Sequence, residues 1–290
     1  MKNNIDYQQI ENGSVEHYIN LTRYNDTDNW ISLKELFTTN LDFIDMIFIK
    51  MTGKLPTKKE KRLLLRTLMV VSMGTGYHAP SVLVPRMVAT TTKNEAFAII
   101  NGLIGGLTTI GTHHLGSVVH VMKMFKHIKD KLKDKNVKSF VEEYVNTELQ
   151  HNRKIHGFGH PVYHKDPRPE ILLDEIMALA DNIYVDIYNC LAEKVKEEKN
   201  IFPNIDLILA LSYLCLGFEP EHGIYLSFIA RSLNMVCHIL DELPKKPFAF
   251  LNEAVPLEKS IEIENEISKV NIFANKKEEI TETDEITLVT

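Results

Sequence analysis

Apolar positions recur at helical spacing along most of this chain. Leu63, Leu64, Thr67, Leu68 and Val71 share one face of a segment that opens near Pro56-Thr57 and stops at Gly74, the spacing of an amphipathic helix. Residues 95–111 are apolar on most faces and dotted with small residues, which predicts a buried helix whose glycines permit close packing. Val118 to Lys135 reads as an amphipathic helix with lysines on its outer face and at its C-terminal end, where they suit the helix dipole. Glu170 to Glu198 forms one long amphipathic pattern. Ile205 to Leu216 predicts an apolar helix ended by Gly217, and Pro220 opens another running to about Leu243. No strand alternation stands out before residue 245, so the predicted fold class is all-α.

The two ends read differently. Residues 1–20 are polar and weakly patterned. From Glu253 onward the chain is rich in Glu, Lys, Ile, Asn and Thr and has no glycine. Ile261-Glu-Ile263 and Ile286-Thr-Leu-Val289 alternate as short strands do, and a flexible tail or an arm laid on a partner subunit suits the same composition.

Composition narrows the function classes. At 290 residues, with 44% hydrophobic and 25% charged side chains, the chain is expected to form a soluble globular protein of one large domain or two lobes. A net charge of −6 lacks the basic face that non-specific nucleic-acid binding needs, but leaves room for a local basic pocket. No basic start is followed by an apolar run at the N-terminus, and the run at Ile205 to Leu216 is too short to span a bilayer. Neither secretion nor a membrane partner is expected. Cys190, Cys215 and Cys237 are odd in number, far apart and set in apolar helical patterns. They read as buried thiols of a reducing compartment, the cytoplasm.

The densest candidate chemistry lies in Lys154-Ile-His-Gly-Phe-Gly-His160 and its continuation to Arg168, with three histidines, two glycines and two prolines. Glycines let backbone approach a ligand and prolines stiffen the loop, so it can aim a histidine and an arginine at a small anion or cofactor. His113, His114 and His120, and then His156, His160 and His164, invite a metal reading. Gly157, Gly159 and Pro161 prevent the second set from stacking on a helix, and no acidic residue stands at ligand spacing, so no metal is expected. His151, His156, His222 and His238 read as surface or satisfied core residues. His114 follows a glycine-dotted helix and precedes Leu115-Gly116-Ser117, a junction from which an imidazole can reach a cleft. Asp206 opens an apolar helix, either as a first-turn acid or as a carboxylate made more basic by its surroundings. Arg231 lies inside an apolar helix and calls for a carboxylate partner, from the protein or from a substrate.

Six motifs, in order, carry a resemblance. Thr52-Gly-Lys-Leu-Pro-Thr is similar to G-x-L-P-T, and Arg86-Met-Val-Ala-Thr-Thr to A-R-x-x-A-S-T. Gly111-Thr-His-His114-Leu-Gly-Ser is similar to G-P-L-H-G-G-A. Gly157-Phe-Gly-His160-Pro-Val-Tyr with Asp166-Pro-Arg168 matches G-F-G-H-x-V-Y and D-P-R. Pro203-Asn-Ile-Asp206 resembles P-N-V-D, and Phe228-Ile-Ala-Arg231 running to His238-Ile-Leu-Asp resembles F-x-I-A-R and A-H-x-L-E. Over roughly residues 30–248 the chain resembles the citrate synthase family, including its citryl-CoA lyase-type members and the related module of ATP-citrate lyase.

The resemblance implies an acyltransferase that joins acetyl-CoA and oxaloacetate, or a lyase that cleaves citryl-CoA, with the CoA thioester as substrate and no metal. It implies Asp206 as the base at the thioester α-carbon, His114 as donor to the thioester oxygen, and His160 as the group that polarises the keto oxygen. Arg168, Arg231 and His78 would bind the oxo acid, and Ile155, Gly157, Phe158 and Gly159 the CoA. It also implies a homodimer, with residues 31–115 and 211–252 as a large lobe and 116–210 as a small one, between an N-terminal segment 1–30 and a C-terminal arm or tail 253–290. The pattern is departed from in places. Leu115 and Ser117 replace small residues beside His114, and His160 to Arg168 is one residue short. Thr75 or His78 stands where a D-H pair is usual, and Lys245-Lys246-Pro247 stands near the place of an arginine. These changes keep open an alternative: a catalytically weakened member that binds CoA or a carboxylate in a regulatory or biosynthetic role.

Overall fold

The computed structural model describes residues 18–20, 30–32, 38–73, 79–92, 94–160, 164–179 and 182–249. A small antiparallel pair, β1 (Tyr18–Asn20) and β2 (Trp30–Ser32), comes first, with Ile19 opposite Ile31. Three-residue strands are too short to show a period of two, and the sequence pattern did not mark them. All other regular structure among the described residues is helical: α1 (Phe43–Thr52), α2 (Lys58–Met73), α3 (Pro80–Ala89), α4 (Glu95–Leu107), α5 (Ser117–Leu132), α6 (Val137–Gln150), α7 (Arg168–Met177), α8 (Ile183–Lys199), α9 (Ile205–Cys215) and α10 (Pro220–Glu242). The candidate strands at 261–263 and 286–289 lie outside the described residues.

α9 is the axis of the fold. Leu207 through Tyr213 are all buried, as expected of a helix apolar on every side. Helices α2, α5, α7, α8 and α10 pack around it. One continuous apolar core runs from Ile47 and Phe48 on α1 to Leu226 and Ala230 on α10. Within it Thr67 Oγ1 donates to the Leu63 carbonyl at 2.8 Å and meets Ser212 Oγ at 2.6 Å, tying α2 to α9.

α3, α4 and the end of α10 form a second, smaller cluster around Ala89, Ala98 and Ile239. Glycines make it possible. A Cβ on Gly106 would lie 2.5 Å from Pro85 Cγ, and one on Gly102 would lie 2.7 Å from Ile239 Cδ1. A buried ion pair joins α3 to α10, with Arg86 Nε and Nη2 donating to Glu242 Oε2 at 2.9 and 2.6 Å.

Three expectations need correction. α4 is not buried on most faces: Phe97, Ile100 and Ile104, spaced along one stripe, are each more than half exposed. The pattern at 170–198 is two helices, α7 and α8, and Asn182 starts the second by accepting from the Tyr184 N–H at 3.0 Å. All three cysteines are free thiols, but Cys237 is exposed and the other two are only partly buried. α10 has the length and apolar composition of a membrane-crossing helix. Here it packs on α2, α3, α4 and α5 and buries His222, Arg231 and Glu242.

Candidate active site

His114 is held by a tight turn. The Gly111 and His114 N–H groups each donate to the other's carbonyl at 3.0 Å, and the Gly116 N–H adds a third bond to Gly111 O at 3.0 Å. A Cβ at Gly116 would meet that carbonyl oxygen at 2.5 Å, so the turn needs glycine there. Leu115, between them, sits at φ 62°, in the left-handed region that favours glycine. The His114 ring reaches α3, where Nε2 lies 2.8 Å from the hydroxyl of buried Ser81. Burial, and then the nearby Arg231 charge, push His114 down to about 4. The imidazole is therefore neutral at physiological pH.

The glycine–histidine loop is sewn to the segment that opens α9. The Gly159 N–H donates to Phe202 O at 2.9 Å, the Asn204 N–H to Gly157 O at 2.9 Å, and the Asn204 amide to Gly159 O at 2.8 Å. Asn204 also caps α9, its Oδ1 accepting from the Asp206 N–H at 3.0 Å. Gly157 takes φ 90° and packs so closely on α9 that a Cβ would fall 2.7 Å from Leu207 Cδ1. Ile155 and Phe158 turn inward and are buried. His156 stacks on His120 of α5 at 5.2 Å. Burial, with the His120 charge second, lowers its pKa.

Asp166 organises the far side. Its carboxylate accepts from Arg168 Nε and Nη2, both at 2.8 Å, and from the Arg168 and Ile205 N–H groups, both at 3.0 Å. Burial raises its pKa, yet Arg168 and the two backbone donors outweigh that and hold it below the usual carboxylate value. One side chain thereby fixes the start of α7 to the start of α9. Arg168 Nη2 also lies 3.1 Å from His160 Nε2. A guanidinium only donates, so Nε2 accepts and the His160 proton sits on Nδ1.

Hydrogen bonds and charge interactions link these groups into one neighbourhood. Ser117, three residues past His114, donates its hydroxyl proton to Asp206 Oδ2. Burial, above all, raises the pKa of Asp206, while Ser117, Arg168 and Lys154 pull it down. Arg231 on α10 is 3% exposed. Burial, and then the positive charge of Arg168, lower it to about 10. Its charge acts on His114 as well. His114, His160, Asp206, Arg168 and Arg231 thus belong to one electrostatic neighbourhood, with residues 155–159 as its neighbouring loop. His78 lies outside the described residues. Ser81, Ser117, Asp166 and Asn204 were not foreseen as site residues. Asp166, Asn204 and Ser117 had a sequence signal, lying within the D-P-R, P-N-V-D and G-P-L-H-G-G-A-like motifs; Ser81 had none.

Among the described residues no three His, Cys, Asp or Glu side chains are grouped to hold a metal ion. A cavity of about 570 Å³ lined by Thr90, Glu95, Glu242 and Lys245 includes none of the clustered groups.

Residues 20–248 match the family model described as citrate synthase, C-terminal domain. A citrate synthase of Haloferax volcanii is 29% identical over 54% of this chain and 40% of its own length. A citrate/2-methylcitrate synthase of Bacillus subtilis is 27% identical over 66% of this chain and 50% of its own. The chain thus spans half or less of these curated relatives. Among solved structures, citryl-CoA lyase from Hydrogenobacter thermophilus superposes with a TM-score of 0.64 at 26% identity, covering 75% of this chain and 82% of that one.

Proposed function

The chain belongs to the citrate synthase family, and from that premise we propose that it makes or breaks the carbon–carbon bond between a CoA thioester and a 2-oxo acid. The observation that carries this reading is one neighbourhood holding a carboxylate of raised basicity, a neutral imidazole and two guanidiniums that repel each other. Asp206 takes a proton from the α-carbon of acetyl-CoA. The electron pair left behind moves toward the thioester oxygen, where His114 donates a hydrogen bond. The Ser81 hydroxyl supports this by donating to Nε2, which leaves the Nδ1 proton for the substrate. The enolate carbon then attacks the keto carbon of oxaloacetate, and His160 protonates the new alkoxide, which gives citryl-CoA. In the synthase direction water then hydrolyses its thioester and releases citrate and the free CoA thiol. Arg168 and Arg231 hold the oxo acid's carboxylates; an anion between them relieves the repulsion that lowers Arg231. Backbone of residues 155–159 lies against the CoA. Read backward, the alkoxide of citryl-CoA collapses to oxaloacetate and the acetyl-CoA enolate.

The proposal includes two lobes, 116–210 closing on 31–115 and 211–252. Residue 210 falls inside α9, so a hinge belongs at an end of that helix rather than at 210. It also includes a homodimer formed on the exposed apolar stripes of α3 and α4, and residence in the cytoplasm, which three free thiols suit.

The test is an assay of purified protein with acetyl-CoA plus oxaloacetate, following free thiol, and separately with citryl-CoA, following oxaloacetate. Turnover in one assay is expected, falling about 10²- to 10⁴-fold in Asp206→Asn. Turnover that survives Asp206→Asn removes Asp206 as base. Absent turnover with CoA binding that persists in Asp206→Asn favours a weakened, CoA-binding member. Absence of CoA binding overturns both readings.

A further inference from the structure

Ser117 has no part in the chemistry just described, yet it makes the one side-chain hydrogen bond of Asp206 among the described residues. It is the first residue of α5, and Asp206 lies in the first turn of α9, so this bond spans two helix starts. Both helix starts are fixed. The Gly111–Gly116 turn sets Ser117, and the Asn204 cap with the Asp166 bond to Ile205 sets Asp206. The carboxylate can still rotate about its own side-chain bonds. A hydroxyl on Oδ2 stops that rotation and makes the two oxygens unequal. In the resembled motif G-P-L-H-G-G-A an alanine, with no hydroxyl, stands at this position.

Taking Asp206 as the base, on which the inference rests, we propose that Ser117 is its positioning residue: the hydroxyl holds Oδ2 and leaves Oδ1 to meet the substrate's α-carbon. With Oδ1 protonated, Oδ2 remains a carbonyl acceptor, so the bond survives when Oδ1 takes up the proton. The ionised form gains more from it, because a carboxylate is the stronger acceptor. The other charged groups that face Asp206 are Arg168 and Lys154, which favour the carboxylate, and Asp166, which opposes it. None of them hydrogen-bonds to its oxygens among the described residues. Loss of the hydroxyl therefore raises the pKa of Asp206 and moves the acid limb of the rate profile to higher pH.

The experiment titrates the full chain labelled with ¹³C at the aspartate carboxyls, with Asp206→Asn to assign the resonance. Ser117→Ala is expected to move the Asp206 midpoint up by about one pH unit, and Ser117→Thr, which keeps a hydroxyl, to restore it. Ser117→Gly lacks the hydroxyl as well and replaces Ser117→Ala if that variant does not fold. An unmoved midpoint overturns the proposal whether or not the enzyme turns over. Where turnover is present, kcat of Ser117→Ala on the high-pH plateau is expected to drop about tenfold with KM unchanged. A midpoint that moves without the acid limb of the rate profile overturns the reading of Asp206 as base. A limb that moves with full plateau kcat overturns positioning alone.

Discussion

Leu115 carries a backbone conformation that an L-residue adopts at a cost of about 1–2 kcal/mol. The cost is borne beside His114, in the turn that also places Ser117. Two truncations separate backbone from side chain, because alanine and glycine both remove the isobutyl group. Leu115→Gly is expected to be more stable than Leu115→Ala by about 1 kcal/mol in urea unfolding, although glycine is ordinarily the weaker choice. Equal stabilities would mean that the left-handed turn is absent. His114 and Asp206 were legible as candidates because a polar group at a helix junction breaks an apolar pattern. Ser81 and Ser117 were not: a serine at a helix start has the same local appearance whether its hydroxyl caps the backbone or reaches a residue 33 or 89 positions away.

At the scale of helices, apolar periodicity located α2, α5, α9 and α10 to within a few residues. It merged α7 with α8, since both continue a similar polar and apolar rhythm and only Asn182 marks the new start. It said nothing of the pairing of α3 with α10, which depends on glycines and on one ion pair far apart in sequence. Arg86 and Glu242 have side chains 2% and 0% exposed, so the charges were removed from water to meet. Glu242→Gln leaves a buried guanidinium facing a neutral amide and is expected to cost about 3 kcal/mol in denaturant unfolding. Arg86→Met combined with Glu242→Leu should cost less than the single change, because both desolvation penalties vanish together. A single variant within about 0.5 kcal/mol of wild type would show that the pair does not hold α3 on α10.

At the scale of the molecule, the sequence pattern took residues 95–111 for a buried helix, and the described fold leaves its outer face open. Phe97, Ile100 and Ile104 on α4 and Leu83 and Met87 on α3 are each at least 36% exposed. Hydrophobicity cannot tell burial by the same chain from burial by another copy, since the free energy gained per apolar area is the same. Clustered apolar stripes on two packed helices are uncommon on a monomer's surface, and a second copy of this chain is the occupant proposed above. Like charges placed at its centre would face their own images across a twofold axis. Ile100→Glu with Ile104→Glu is therefore expected to sediment as a monomer where the wild-type chain sediments as a dimer. The helical circular-dichroism spectrum should be unchanged, because neither side chain contributes to either core cluster. A wild-type monomer, or a double variant that remains dimeric, would rule out this face as the contact.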